Sequence, residues 1–183
     1  MKKATVAAIA VLGMLTARQA AASPEKMSEQ GTFVIRTDTS LIGTIGASAA
    51  NVGSFTVFDV GTMIALAPAV DYFVIKNLSV GGAMPFQLGI ANGNKSIVWG
   101  LLPRVGYNLG FGEKFSLWPQ FSMGVVYVNP GGGGSAKALM RMYAPFLFHP
   151  ADHFFVGLGP DFQSSFESMT YGFGFGWTIG GHF

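Results

Sequence analysis

The chain has 183 residues, half of them apolar and only 11% charged, with no cysteine. A soluble domain carries about 25% charged residues, so this composition argues against one, and the absence of cysteine excludes a disulfide framework. The 11 basic and 9 acidic residues give a formal charge of +2, but Lys2, Lys3 and Arg18 fall in a leader, which leaves eight basic against nine acidic residues and no basic surplus for nucleic acid.

Residues 1–22 read as a secretory signal peptide. Lys2 and Lys3 give the positive start, Ala4 to Thr16 is an uncharged and mostly apolar run, and Ala20-Ala21-Ala22 supplies the small residues of a cleavage point before Ser23. The apolar run is too short for a spanning helix. With no cysteine at that point, a lipoprotein anchor is not expected. Residues 23–30 form a short polar periplasmic lead, and 31–183 suit one domain.

Eight strands are predicted in that domain, at 31–42, 62–75, 78–90, 96–109, 115–128, 136–148, 153–166 and 171–183. Each meets the ~9–11 residues a tilted strand needs to cross a bilayer. Short polar turns are expected at Lys76-Asn77, Gly110 to Lys114 and His149 to Asp152. On the opposite side the expected connections are Gly43 to Gly61, Ala91 to Lys95, Asn129 to Ser135 and Glu167 to Thr170, of which only the first is long. That arrangement suits an up-and-down barrel with short periplasmic turns. Spanning helices are opposed by Pro119, Pro130 and Gly131 to Gly134, which interrupt the uncharged stretches, and by the period-2 alternation.

The last strand is the most explicit. Tyr171, Phe173, Phe175, Trp177, Ile179 and Phe183 share one face, and Gly172, Gly174, Gly176, Thr178, Gly180 and His182 share the other. A membrane barrel turns the first kind of face to lipid and the second to its lumen. Extended around the chain, this parity puts Phe33, Leu66, Leu101, Phe121, Met123 and Leu158 outward. It puts a polar network of Arg36, Asp38, Asp71, Arg104, Lys137, Arg141 and Asp161 inward, with Gln87, Gln120 and Gln163. Tyr72, Tyr107 and Trp177 are expected near the periplasmic membrane interface, and Trp99, Tyr127 and Tyr171 near the outer one. Six prolines fall inside predicted strands, in the pairs Pro68/Pro85, Pro103/Pro119 and Pro145/Pro160 at gaps of 17, 16 and 15 residues. Because proline cannot donate to a ladder, they are expected to mark bulges.

With these features the chain resembles the small bacterial outer-membrane β-barrel proteins of the OmpA-barrel and OmpX-like class. The hairpin segments APAVDYFVIKNLSVGG and LPRVGYNLGFGEKFSLWP are similar to a Pro-rich subgroup of that class with no assigned activity. The resemblance implies an all-β, eight-stranded antiparallel transmembrane barrel in the outer membrane, in contact with lipid and lipopolysaccharide. It implies insertion by the barrel assembly machinery, which reads Phe175, Trp177, Ile179 and Phe183 in the last strand. It names no partner of the mature protein. The peptidoglycan-binding domain that follows the barrel in OmpA relatives is not expected, since the sequence stops at the last strand.

Fold does not settle function. The lumen charges admit a salt-bridged plug, because eight strands enclose little more than their own side chains. They also admit a narrow, weakly anion-preferring passive pathway lined by surplus basic groups. A lipid-modifying enzyme would need a nucleophile and base in reach of each other. His149, His153 and His182 all map to the periplasmic end, whereas Ser164, Ser165 and Glu167 map to the outer end. No metal site is expected from histidines so spaced. GFGFG and GGGG do not open a helix as a phosphate loop does. No cofactor is expected. The sequence therefore favours a non-enzymatic barrel with a filled polar lumen and a structural or surface-interaction role.

Overall fold

The computed structural model describes residues 24–45, 56–58, 61–91, 94–129, 133–166 and 170–183. The leader 1–22, most of the connection 43–61 and half of the Gly131 to Gly134 tip lie outside the described residues. In chain order the elements are α1 (Pro24–Met27), β1 (Phe33–Ile45), β2 (Thr56–Phe58), β3 (Gly61–Ile75), β4 (Leu78–Ala83), β5 (Phe86–Ala91), β6 (Asn94–Tyr107), β7 (Leu109–Phe111), β8 (Phe115–Leu117), β9 (Gln120–Asn129), β10 (Ser135–Tyr143), β11 (Phe146–Ala151), β12 (Phe154–Ser165) and β13 (Thr170–His182).

These strands make eight staves. β4 continues as β5, β6 as β7, β8 as β9, and β10 as β11, while β1, β3, β12 and β13 are each a stave alone. All neighbours are antiparallel, and pairing of β10 with β12 and of β1 with β13 closes the sheet on itself. Closure removes the exposed strand edges that an open sheet would carry. At the seam Phe183 donates to the Phe33 carbonyl at 2.8 Å and Phe33 donates back at 3.0 Å.

Strand pairing fixes the barrel's size. A walk across paired residues runs Val34, Asp71, Gly81, Arg104, Ser122, Arg141, Gln163 and Gly172, and returns to the first stave at Thr44. The return is ten residues beyond its start, and with eight staves this stagger corresponds to a tilt of about 40°. Such a barrel has an interior just wide enough for side chains to fill.

The expected bulges at prolines are not found. β3 pairs Ala69 with Ala83 and Leu66 with Phe86 in one unbroken register, although Pro85 separates β4 from β5. On the other side Ala83↔Leu102 and Phe86↔Trp99 continue equally without slip. The same holds across Pro119 and across Pro145. Each break is a missing N–H rather than an inserted residue. The proline carbonyls still accept, for example Pro68 from the Met84 amide at 2.9 Å and Pro119 from the Tyr107 amide at 3.0 Å. Among the described pairings of these staves, the register shifts lie at Phe73/Ile75 and Phe148/Ala151, beside turns at the end that carries the chain termini.

Other boundaries differ in detail. The third turn is Asp152-His153 rather than His149 to Asp152, because β11 runs through His149 to Ala151. Asn77 closes its turn with φ 71°, a left-handed conformation asparagine tolerates. The expected connection Gly43 to Gly61 is partly strand, since β1 continues to Ile45 and β2 pairs with β3. The lead is also not a simple polar tail. It forms α1, buries Met27 and Ser28, and is tied down by the Asn77 amide donating to the Ser28 carbonyl at 2.8 Å and the Gly31 amide to Phe73 at 2.9 Å.

Candidate functional site: the filled lumen

Side-chain parity separates two environments. Phe173, Leu101 and Phe33 are more than half exposed on the outer wall, whereas Arg36, Asp38, Asp71, Arg104, Arg141 and Asp161 are buried inside. Five staves bring these six charges together. β1 contributes Arg36 and Asp38, β3 Asp71, β6 Arg104, β10 Arg141 and β12 Asp161.

Asp38 stands at the centre. Its Oδ2 lies 3.1 Å from Arg104 Nη1, 3.4 Å from Arg141 Nη1 and 3.5 Å from Arg36 Nη2. Arg104 grips Asp71 with two donors, Nε to Oδ1 at 2.6 Å and Nη2 to Oδ2. Arg36 Nε approaches the same carboxylate at 3.4 Å. Arg141 forks onto Asp161, Nη2 to Oδ2 at 2.6 Å and Nε to Oδ1 at 3.0 Å. Arg36 also donates to the Gln120 carbonyl oxygen. Two rings complete the enclosure, with the Arg36 guanidinium 4.4 Å above Trp118 and that of Arg141 4.7 Å above Tyr143. Three cations meet three anions, so the ring is neutral in itself.

Apolar layers lie on both sides of the ring. Toward the chain termini, Met27, Val34, Phe73, Trp118, Leu147 and Phe155 form one buried cluster. Away from them, Ala67, Ala69, Ala83, Val98, Leu102, Val126 and Leu139 form the second. Along β3 alone the order reads Ala67 and Ala69, then Asp71, then Phe73, so a single strand passes through all three layers. Trp118 ties the first cluster to the wall. Its Nε1 donates to Ser79 Oγ at 3.2 Å, and its ring stacks on Phe73 with centroids 5.6 Å apart. The lumen glycines leave room for this filling. A Cβ on Gly180 would stand 2.5 Å from Arg36 Cβ and 2.7 Å from the Phe155 ring.

Lys137 stands apart. It is half-buried on β10 opposite Val126, four residues beyond Arg141 and separated from the ring by Leu139. The aromatic residues expected at the interfaces occupy the outer wall. Trp99 and Tyr127 are direct pairing partners with rings 6.0 Å apart, and Tyr171 lies 6.3 Å from Phe162. Tyr72 packs on Phe33 at 4.8 Å, and Tyr107 pairs with Leu78. Trp177 sits between Leu158 and Thr39, six residues before Phe183. Phe175, Trp177, Ile179 and Phe183 share the exposed face of the last stave.

One polar pair escaped sequence reasoning. Ser116 Oγ and His149 Nε2 are 3.1 Å apart, although 33 residues separate them in the chain. Pairing of β8 with β11 joins them, and no local motif signals it. Both are buried, and His149 Nδ1 has no hydrogen-bond partner among the described residues. A hydrolytic dyad needs a reachable nucleophile and an oriented base, and this pair has neither. His153 Nδ1 donates instead to the His182 carbonyl at 2.9 Å. Among the described residues no group of three or more His, Cys, Asp or Glu side chains is placed to hold a metal.

A closed eight-stave antiparallel barrel is a known architecture. The fold is that of small outer-membrane barrels. The chain is similar to the N-terminal β-barrel domain of Pseudomonas aeruginosa OprF, with TM-score 0.54 and 12% identity over 84% of this chain and 98% of that one. It is similar also to Ail, the attachment invasion locus protein of Yersinia pestis, with TM-score 0.50 and 12% identity over 84% and 99% of the two chains. Neisserial surface protein A gives TM-score 0.50 and 10% identity over 84% and 97%. No protein-family description and no curated protein sequence matches the chain.

Proposed function

We propose that this protein is an integral barrel of the bacterial outer membrane whose lumen is closed, and whose role is structural or one of surface interaction. The observation that carries the reading is the buried ring of Arg36, Arg104 and Arg141 with Asp38, Asp71 and Asp161, held between two apolar layers. An ion entering from either side would have to cross an apolar layer and then break paired charges. An anion pathway would need surplus basic charge facing water. Within the seven-residue network that surplus rests on Lys137, which lies outside the ring.

On this reading lipid and lipopolysaccharide surround the outer wall, and Tyr72, Tyr107, Trp99, Tyr127, Tyr171 and Trp177 anchor it at the two interfaces. The barrel assembly machinery inserts it through the strand that ends Phe175, Trp177, Ile179 and Phe183. The mature protein acts through its outer surfaces, without catalysis or cofactor. The test is single-channel recording of the protein refolded without its leader into a planar bilayer. A folded sample should be silent. Reproducible steps that vanish or change rectification in Arg104→Ala or Arg141→Ala would show a pore and overturn the closed-lumen reading.

A further inference from the structure

The outer wall is not evenly clad. On three neighbouring staves the outward positions at one level carry short or flat side chains: Pro119, Ala144 and Pro160. The Ala144 amide donates to the Pro160 carbonyl at 3.1 Å, and the pairing of Tyr143 with Gln120 sets Ala144 beside Pro119, whose carbonyl accepts from the Tyr107 amide on its other side at 3.0 Å. The outward residues next along the same staves are long and apolar: Phe121, Met142 and Phe162. The result is a trench of about 490 Å³ with an almost wholly apolar lining. That volume falls within the ~300–1,000 Å³ of small-ligand sites. The trench runs from Leu78 and Tyr107 toward Phe173, across several staves rather than along one.

Its two ends differ. Leu78 follows the turn Lys76-Asn77, and Lys76 is exposed there. Phe173 lies toward the opposite end of its stave. An elongated apolar groove with one cation at its interfacial end matches a chain with one anionic head. We infer that the trench seats one acyl chain of an anionic phospholipid, with its phosphate beside Lys76. This inference rests on the proposed membrane setting, in which the outer wall faces lipid. Acyl chains are as apolar as the trench, so burial alone does not select one lipid from its neighbours. Close packing against the walls and the pairing of phosphate with Lys76 would provide the selection. Detergent tails are apolar as well, so a seated lipid should survive mild extraction through that same packing and the pairing with Lys76.

The test uses the protein refolded into vesicles of equal parts phosphatidylcholine and phosphatidylglycerol, extracted in mild detergent and weighed intact by native mass spectrometry. The heat-dependent gel mobility of a folded barrel is checked on each sample. One retained phosphatidylglycerol is expected. Ala144→Phe fills the floor and should lose it. Phe162→Ala, which removes a wall without adding bulk, should also lose it should the first variant fail to fold. Lys76→Gln should abolish the preference over phosphatidylcholine, and Val125→Phe, outside the trench, should retain the lipid. A protein that never inserts refutes the membrane reading itself. An inserted, folded barrel that carries no phospholipid refutes the lipid site alone, as does one that holds both lipids equally or keeps phosphatidylglycerol in both trench variants.

Discussion

The fork between Arg141 and Asp161 offers the sharpest test of the layered lumen. Both side chains are at most 3% exposed, and Arg141 places Nη2 2.6 Å and Nε 3.0 Å from the carboxylate oxygens. Arg141→Met leaves Asp161 without this partner and gives the ring one uncompensated negative charge. Asp161→Asn leaves the opposite imbalance, only partly met by Asp38 at 3.4 Å. Breaking a buried pair from one side costs about 3–5 kcal/mol, because the remaining charge stays desolvated. Removing both partners leaves Arg36 and Arg104 against Asp38 and Asp71, which is again neutral. Replacement of a whole pair by uncharged groups is often close to neutral, so the double variant should be far more stable than the two losses added together. The assay is equilibrium urea unfolding in lipid vesicles, followed by tryptophan fluorescence and gel mobility, for all four members of the cycle. Single losses below about 1 kcal/mol, the range of exposed pairs, would refute the buried ring, and additive losses would refute the coupling.

Three further outcomes follow from other layers. Met27 is fully buried beneath Phe73, Trp118 and Phe155, so Met27→Ala should lower unfolding free energy by about 2–5 kcal/mol in the same urea assay; a change under 1 kcal/mol would show that the lead does not pack into the lumen. Pro85→Ala should restore a donor without moving a strand, because Val80↔Val105 and Phe86↔Trp99 share one register across the break. Cysteine pairs placed at those two positions should cross-link as well in the variant as in the parent, and selective loss of the Phe86–Trp99 link would indicate a slipped stave. Gly180→Ala should push Arg36 and the Phe155 ring aside and destabilise by about 1–3 kcal/mol, whereas alanine at Gly112, where a Cβ meets nothing within 4 Å but φ is +71°, should cost about 1 kcal/mol through backbone conformation; equal stability of the Gly180 variant and the parent would mean that the lumen is not filled there.

The architecture was legible because alternation and turn chemistry act locally. Tyr171 to Phe183 declares two faces without help from any other segment, and Lys76-Asn77 declares a turn by its own residues. The prolines misled because a missing donor and an inserted residue look alike in one strand, and only the partner registers distinguish them. Pro85 interrupts hydrogen bonding while Ala83 and Phe86 keep their places against Leu102 and Trp99. The charged residues were legible by parity, but their grouping was not. Arg104 and Asp71 meet through the β4 stave that lies between theirs, with Gly81 opposite both, and a Cβ there would strike Asp71 Oδ1 and the Val70 carbonyl. Lys137 shares the parity of the ring and not its depth, which requires the stagger of the staves.

The apolar layers were hidden for a different reason. Val34, Phe73, Trp118, Leu147 and Phe155 share parity with Arg36, Asp71, Gln120, Arg141 and Asp161 on their own staves, so alternation places them inside. Their hydrophobicity suggests lipid, and sorting by residue type overrides sorting by position. The distinction has a consequence for the lumen. A polar interior filled only with charges would admit water and screen them, so each pair would contribute little. Enclosed by Trp118 and Phe155 on one side and by Leu102 and Leu139 on the other, the same pairs act in a medium where separation is costly. On the proposed closed-lumen reading, the apolar residues on the inner parity are what make the ring a barrier, and the lead adds Met27 to that layer.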